Sequence, residues 1–270
     1  MCYANILVSV DLSAAAPARV QLAAGLAGRF EATLTGAAAR SVPAPVPVQD
    51  IYDAQCKEAK NREAVQAELD QARELFAHNA GAGIKTDWRP GFTGPITHLV
   101  EQARSADLIV VGRHGAEDAD PGELGAVPGP VLMEAGRPVL VVPPKVEQLN
   151  AARIVVAWKD TAEARRSVSA ALGLLRRADQ VFVASLGDGA GFEGAEDVAG
   201  HLTRHGAPAT VHLLKDAPGS GEGILHFARR QEADLIVMGG YGHSRLREWA
   251  FGGATRDILE RTPVCCLLCH

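Results

Sequence analysis

The chain has 270 residues, and 47% of them are hydrophobic, which is enough for the core of one large or two small domains. Lys and Arg number 27 against 32 Asp and Glu, and the resulting formal net charge of -5 argues against nucleic-acid binding. No apolar run reaches the roughly 20 residues of a membrane span, and the N-terminus resembles a strand rather than a signal peptide. We therefore expect a cytoplasmic protein without a membrane partner.

The first half of the chain alternates short β-rich runs with helical stretches. A Pro-rich segment, Ser41–Asp50, is predicted to be an extended loop, and Glu63–Phe76 shows the apolar period of a helix. Such alternation is typical of βαβ units and a parallel sheet. Five strands are predicted, at Ile6–Val10, Ala32–Ala37, Ile84–Trp88, Leu108–Val111 and Val139–Val142.

The second half repeats the first. The segments Ala106–Gly115 and Ala233–Gly242 match at seven of ten positions, so we interpret the chain as two copies of one unit. A linker at Pro143–Ala152 places the two domains at residues 1–146 and 151–270. The second copy is predicted to have five strands of its own, at Ile154–Trp158, Val181–Ser185, Thr210–Leu214, Leu235–Met238 and Val264–Leu268.

Three of the five cysteines lie in the last predicted strand, and His270 follows them. Cys and His are zinc ligands, but a structural zinc site needs a second ligand pair, which is lacking here. On a strand, Cys265 and Cys266 would point to opposite faces, and Cys is among the most buried residue types. We therefore predict strand packing rather than a metal site, with the thiols reduced.

Glycines cluster after the fourth strand of each copy. A ligand of an open parallel sheet binds outside the carboxyl ends of the strands, and the free N–H groups at a helix start bind phosphate. Glycines at a strand end can also serve only a tight turn. One spacing occurs twice and favours a phosphate-binding loop: Gly239, Gly242 and Gly252 in the second copy, and Gly112, Gly115 and Gly125 in the first.

With this glycine spacing and the internal repeat, the sequence resembles the universal stress protein family in its tandem two-domain form, over essentially its full length. The resemblance implies an α/β fold of two Rossmann-like domains, each a five-stranded parallel sheet flanked by helices. It also implies an internal pseudo-dimer in which the last strands of the two copies meet. A further homodimer is compatible with that arrangement.

The resemblance further implies ATP, or a related adenine nucleotide such as AMP, at the glycine motif, with or without Mg²⁺. Carried over residue by residue, the implied contacts are Ala157, Trp158, Lys159 and Asp160 on the adenine side, Met238 near the ribose or base, and Gly239, Gly242, Gly252 and Gly253 at the triphosphate. Trp158 could equally be a core residue, since a Trp in a sheet often is.

The second copy departs from the family pattern at two positions. Gly253 stands where a hydroxyl residue is usual, and Thr255 either supplies that hydroxyl or caps the helix. Lys159 stands where nucleotide-binding members usually have an acidic residue for the adenine. Arg245 and Arg247 nevertheless give this loop a charge that suits anions.

The first copy departs in the opposite sense. It keeps Asp11 and the three glycines Gly112, Gly115 and Gly125, but its loop carries four carboxylates, which repel a phosphate unless a metal intervenes. We therefore expect the nucleotide in the second domain and a degenerate site in the first.

Three functions are compatible with these residues. The first is regulatory nucleotide binding in a stress response, and the second is a slow phosphohydrolase or adenylating enzyme at the same site. The third is a nucleotide-free scaffold that binds another small ligand. Since no carboxylate pair or Ser/His arrangement stands at catalytic spacing, we assign no catalytic residue and favour the first.

Overall fold

The computed structural model describes residues 3–187, 192–215, 220–242 and 253–270. In the first half the elements are β1 (Asn5–Ser9), α1 (Ala16–Phe30), β2 (Thr33–Ala39), α2 (Ile51–Ala80), β3 (Thr86–Gly91), α3 (Pro95–Gln102), β4 (Leu108–Gly112), α4 (Pro128–Glu134) and β5 (Val139–Val142). In the second half they are β6 (Arg153–Ala157), α5 (Ala162–Leu175), β7 (Gln180–Leu186), α6 (Ala195–Arg204), β8 (Ala209–Leu214), α7 (Ser220–Arg230), β9 (Leu235–Gly239), α8 (Ala254–Arg261) and β10 (Cys265–Cys269).

All ten strands form one sheet, in the order β3-β2-β1-β4-β5-β10-β9-β6-β7-β8. Within each half the five strands are parallel and follow the same order, which confirms the prediction of two copies, each with a parallel sheet built from βαβ units. The observed strands begin within one or two residues of the predicted starts, and the four central strands, β4, β5, β10 and β9, consist only of apolar residues and glycine. This composition follows from packing, because separate buried clusters cover the two faces of the sheet.

The halves join where β5 and β10 pair in antiparallel orientation. Val141 lies opposite Cys266, and Leu140 lies opposite Leu267, and all four side chains are fully buried. The predicted internal pseudo-dimer is thereby confirmed. Because the pairing is antiparallel, the carboxyl ends of the strands lie at one edge of the sheet in the first half and at the opposite edge in the second.

Helix α2 is longer than the sequence pattern predicted, since it begins at Ile51 rather than near Glu63. Its start is fixed by Asp50, whose side chain accepts a hydrogen bond from the backbone N–H of Asp53. The buried residues of this helix begin at Val65, so its first turns carry no apolar stripe that periodicity could detect. The Pro-rich segment before it contains no helix or strand, as predicted.

The C-terminal cysteines pack as strand residues. Cys265 and Cys266 lie in the clusters on opposite faces of the sheet, as the alternation predicted. Burial raises the pKa of Cys265 to about 12 and holds the pKa of Cys266 well above the ordinary value of a thiol, so both thiols stay protonated at neutral pH. Within the described ranges, no group of three or more His, Cys, Asp or Glu side chains is placed to hold a metal ion.

None of the helices in the described part of the chain is both long enough and apolar enough to cross a membrane.

Candidate functional site

The strand order reverses beside β1 in the first half and beside β6 in the second. At such a switch point the loops after two adjacent parallel strands diverge and leave a crevice. In the second half the crevice lies after β6 and β9, where Ala157 and Met238 are register partners. The structure thus brings together the residues predicted for the adenine side and the start of the glycine motif.

Gly239 is required by helix packing. A Cβ atom built on it would lie 2.6 Å from the backbone nitrogen of Ala164, in the first turn of α5. That turn is capped by Thr161, whose hydroxyl accepts a hydrogen bond from the N–H of Ala164 at 3.3 Å. The first glycine of the motif therefore lets the start of α5 approach the end of β9.

Gly242 faces a carboxylate that the sequence analysis did not single out. A Cβ atom on Gly242 would lie 3.1 Å from Oε2 of Glu163, which also pairs with Arg166 at 2.8 Å. Burial raises the pKa of Glu163, but hydrogen bonds from its own N–H, Thr161 and Arg166 outweigh it and hold the pKa below its ordinary value. An ionised carboxylate consequently borders the second-half glycine loop.

The far side of this loop is the start of α8. Gly253 is the N-cap residue there and provides no side-chain cap to the first turn. Thr255 is buried, and its hydroxyl accepts a hydrogen bond from the N–H of Tyr241 at 3.1 Å, which ties the loop after β9 to the helix. The predicted site residues Arg245 and Gly252 fall at positions 243–252, outside the described residues.

The residues after β6 divide between core and surface. Trp158 is only 5% exposed, and its indole N–H donates to the carbonyl of Glu193 at 2.9 Å, so its surroundings are those of a core residue. Asp160 forms an exposed ion pair with Arg165 at 2.5 Å. Lys159 is exposed beside it.

The first-half crevice is a cavity of about 650 Å³. At its base Asp11 pairs with Arg19 at 2.6 Å, and both side chains are buried. Asp11 also accepts a hydrogen bond from the N–H of Ser13. The guanidinium of Arg19 passes beneath Gly112, where a Cβ atom would lie 2.5 Å from Nη1. In this half the acidic residue expected at the adenine is thus neutralised by an internal cation.

The glycine loop of the first half is closed by its own side chains. Asp118 accepts a hydrogen bond from the N–H of Gly115 at 2.8 Å and is held by Arg113 at 2.9 and 2.5 Å. The Arg113 guanidinium, aided by Gly115, holds the pKa of Asp118 below its ordinary value despite partial burial. At the next glycine, a Cβ on Gly125 would lie 2.4 Å from Cβ of Pro121.

Comparison with known proteins agrees with this arrangement of fold and motif. The family model described as the universal stress protein family matches residues 3–143 and 183–270. The chain belongs to the universal stress protein family. A curated relative, universal stress protein Slr1230 of Synechocystis, is 26% identical over 194 residues, which are 68% of this chain. The match covers 65% of that relative, just under two thirds of its length.

Solved structures show the same fold along the whole chain. A universal stress protein from Archaeoglobus fulgidus is similar with a TM-score of 0.73 and 18% identity, covering 99% of this chain and 96% of the other. A functionally unknown protein, PA1789 from Pseudomonas aeruginosa, is similar with a TM-score of 0.57 and 18% identity, covering 98% and 92%. At this identity the likeness concerns the fold alone.

In this universal stress protein each glycine loop rests on the last helix of the other half. A Cβ on Gly115 would lie 2.1 Å from the carbonyl oxygen of Glu260, and Arg113 donates to the carbonyl of Thr262 at 2.8 Å. Conversely, a Cβ on Gly240 would lie 2.7 Å from a side-chain carbon of Leu132 in α4. The two candidate sites are therefore connected through interdomain packing.

Sequence reasoning missed three charged residues of the two sites: Arg19, Arg113 and Glu163. Each has a signal in retrospect. Arg19 is a charge on the alanine-rich face of α1, Arg113 lies inside the glycine motif, and Glu163 is an acidic residue in a first helical turn. Their partners are set by tertiary approach, which a motif does not encode.

The second glycines of the two motifs differ in what they tolerate, and this difference can be measured. We expect Gly115→Ala to lower the free energy of unfolding by about 2–3 kcal/mol, because its Cβ would meet the backbone of α8 and force the halves apart. The equivalent Gly242→Ala should cost less than about 1 kcal/mol, because its nearest neighbour among the described residues is the movable end of Glu163. Urea unfolding of both variants tests this, and equal losses would contradict the packing explanation.

Proposed function

We propose that the chain is a cytoplasmic regulatory protein that binds one adenine nucleotide, ATP or a related compound, in its second half. The observation that carries the proposal is the N-terminus of α8, which opens on the second glycine loop without a side-chain cap at Gly253. Free N–H groups at a helix start, at the positive end of the helix dipole, favour a phosphate.

The charge of the two glycine loops favours the second half over the first as the nucleotide site. The segment between Gly242 and Gly252 contains Arg245 and Arg247, and its counterpart in the first half is acidic. Since a triphosphate carries several negative charges, compensation of charge at the phosphate end dominates its binding. The loss of an acidic base contact at Lys159 then costs about 1.5–3 kcal/mol, the value of one hydrogen bond to a charged group.

The residues present also suit a nucleotide that carries Mg²⁺. Carboxylate oxygens are the ligands that Mg²⁺ prefers, and it is usually held by one or two of them together with phosphate oxygens. Glu163, ionised and next to Gly242, is a carboxylate of this kind. With the metal bound, Glu163 would be attracted to the nucleotide rather than repel it, and the metal would neutralise phosphate charge.

Titration calorimetry with ATP, ADP and AMP, with and without Mg²⁺, tests the proposal. We expect one nucleotide per chain and complete loss of binding in Gly252→Val, because the motif predicts a close approach of the phosphate to this glycine, which a β-branched side chain would prevent. The matched variant Gly125→Val should keep the binding, since its clash with Pro121 is confined to the first half. Absence of binding in the wild type, two equal sites, or loss through Gly125→Val alone would refute it.

A further inference from the structure

Asp118 has the surroundings of a bound anion. Its two carboxylate oxygens accept three hydrogen bonds, one from the backbone N–H of Gly115 and two from the forked guanidinium of Arg113. The side chain is 5% exposed, so these partners take the place of water. Backbone N–H groups and a bidentate arginine are the donors that proteins also use for phosphate.

Two members of this group, Arg113 and Asp118, lie on the wall of the first-half cavity. The same 650 Å³ space is also lined by His114 and Lys145, by the ion pair of Arg19 with Asp11, and by the carboxylates Glu117 and Glu147. The cavity is therefore large enough for a small phosphate compound, and its wall carries both cations and carboxylates. What distinguishes it from an anion site is that its best-placed donors are already bound to a carboxylate.

The second copy has the reverse arrangement in sequence. Counted from the second glycine of each motif, Asp118 corresponds to Arg245, and Arg113 corresponds to Gly240. The first copy thus has a cation before the second glycine and an anion three residues after it. The second copy has a cation three residues after its second glycine and an uncharged residue two positions before it.

We propose that Asp118 is a resident anion of the first-half site and decides its ligand specificity. The carboxylate occupies the hydrogen-bond donors of Gly115 and Arg113 and thereby excludes phosphate compounds from this cavity. Removal of this carboxylate frees both donors and converts the first half into a binding site for phosphate groups. The remaining carboxylates of the cavity wall, Glu117 and Glu147, accept no hydrogen bond from Arg113 or Gly115. The inference concerns the first half and does not depend on nucleotide binding in the second.

The test is titration calorimetry with sodium pyrophosphate on the full chain. We expect Asp118→Ala to bind one more pyrophosphate than the wild type, with affinity at least tenfold above any residual first-half binding in the wild type. Glu117→Ala is the matched control, because it removes an equal charge from the same cavity wall but leaves the contacts of Arg113 and Gly115 in place. It should have the stoichiometry of the wild type.

Asp118→Asn provides a second variant if the alanine variant does not fold. The neutral amide cannot form the ion pair with Arg113, and its oxygen is a weaker acceptor for the N–H of Gly115 than a carboxylate, so pyrophosphate should displace it and bind. Amide NMR then locates the pyrophosphate site, since added pyrophosphate should shift the Gly115 amide resonance in this variant and not in the wild type.

The stoichiometries separate this inference from the proposed function. No binding in the wild type and one pyrophosphate in the Asp118 variants would support the role of Asp118 while removing support for a site in the second half. An unchanged stoichiometry in both Asp118 variants would overturn it. So would an equal gain in Glu117→Ala, because general charge would then be the cause.

Discussion

Asp11→Ala is expected to lower the free energy of unfolding by about 3–5 kcal/mol, because it leaves the guanidinium of Arg19 buried without its carboxylate. The pair is 2.6 Å apart, and its side chains are 3% and 4% exposed. Of the two hydrogen bonds that the Arg19 guanidinium donates to Asp11 and Ser9, only the one from Nε to the carbonyl of Ser9 would remain. The position beneath Gly112 gives it little room to turn towards water.

The second half offers a matched control for this change. Asp160→Ala breaks the ion pair with Arg165, which has a similar length of 2.5 Å but side chains that are 37% and 61% exposed. Exposed pairs contribute at most about 1 kcal/mol, so this variant should unfold close to the wild type. Urea unfolding at neutral pH measures both, and a loss below about 1 kcal/mol for Asp11→Ala would show that Arg19 is not trapped.

Val141→Asp is expected to cost more than about 4 kcal/mol and to prevent recovery of folded protein. Val141 lies in the middle of the sheet, between Val111 on β4 and Cys266 on β10, and is fully buried. An aspartate there has apolar neighbours and no cation in register, so its carboxylate is buried either charged and unpaired or protonated at a large free-energy cost.

The identical substitution at an exposed valine separates this effect from the change in net charge. Val46 is 80% exposed, and Val46→Asp should leave the midpoint of thermal unfolding within a few degrees of the wild type. Soluble yield, circular dichroism and unfolding curves compare the two variants. A folded Val141→Asp protein with wild-type stability would mean that the β5–β10 pairing is not formed in solution.

The strands and the join between the halves could be predicted from the sequence because their causes are local. Continuous runs of Val, Ile and Leu mark strands buried on both faces, and the repeat identifies the last strand of each copy. The first turns of α2 could not be predicted in the same way. They are exposed and depend on the cap at Asp50 rather than on an apolar period.

The candidate site was predicted only in outline. The glycine spacing located both crevices and predicted a ligand role for the glycines. It did not predict that Gly239 and Gly115 also admit the approach of α5 and α8. A glycine that admits a helix and one that admits a phosphate are identical in sequence. The pairings of Asp11 and Asp118 were equally hidden, because each joins residues by side-chain geometry within a folded crevice.

The pairing of β5 with β10 also has a kinetic and thermodynamic consequence. Both strands belong to one polypeptide, so their association is an intramolecular step governed by an effective concentration, on the order of millimolar for a short flexible connection, rather than by protein abundance. Dilution cannot separate the halves, and their docking does not depend on protein concentration.

The strands left at the outer edges of the sheet are β3, which contains Pro90, and β8. Any pairing with a second chain through this sheet has to begin at one of those two edges.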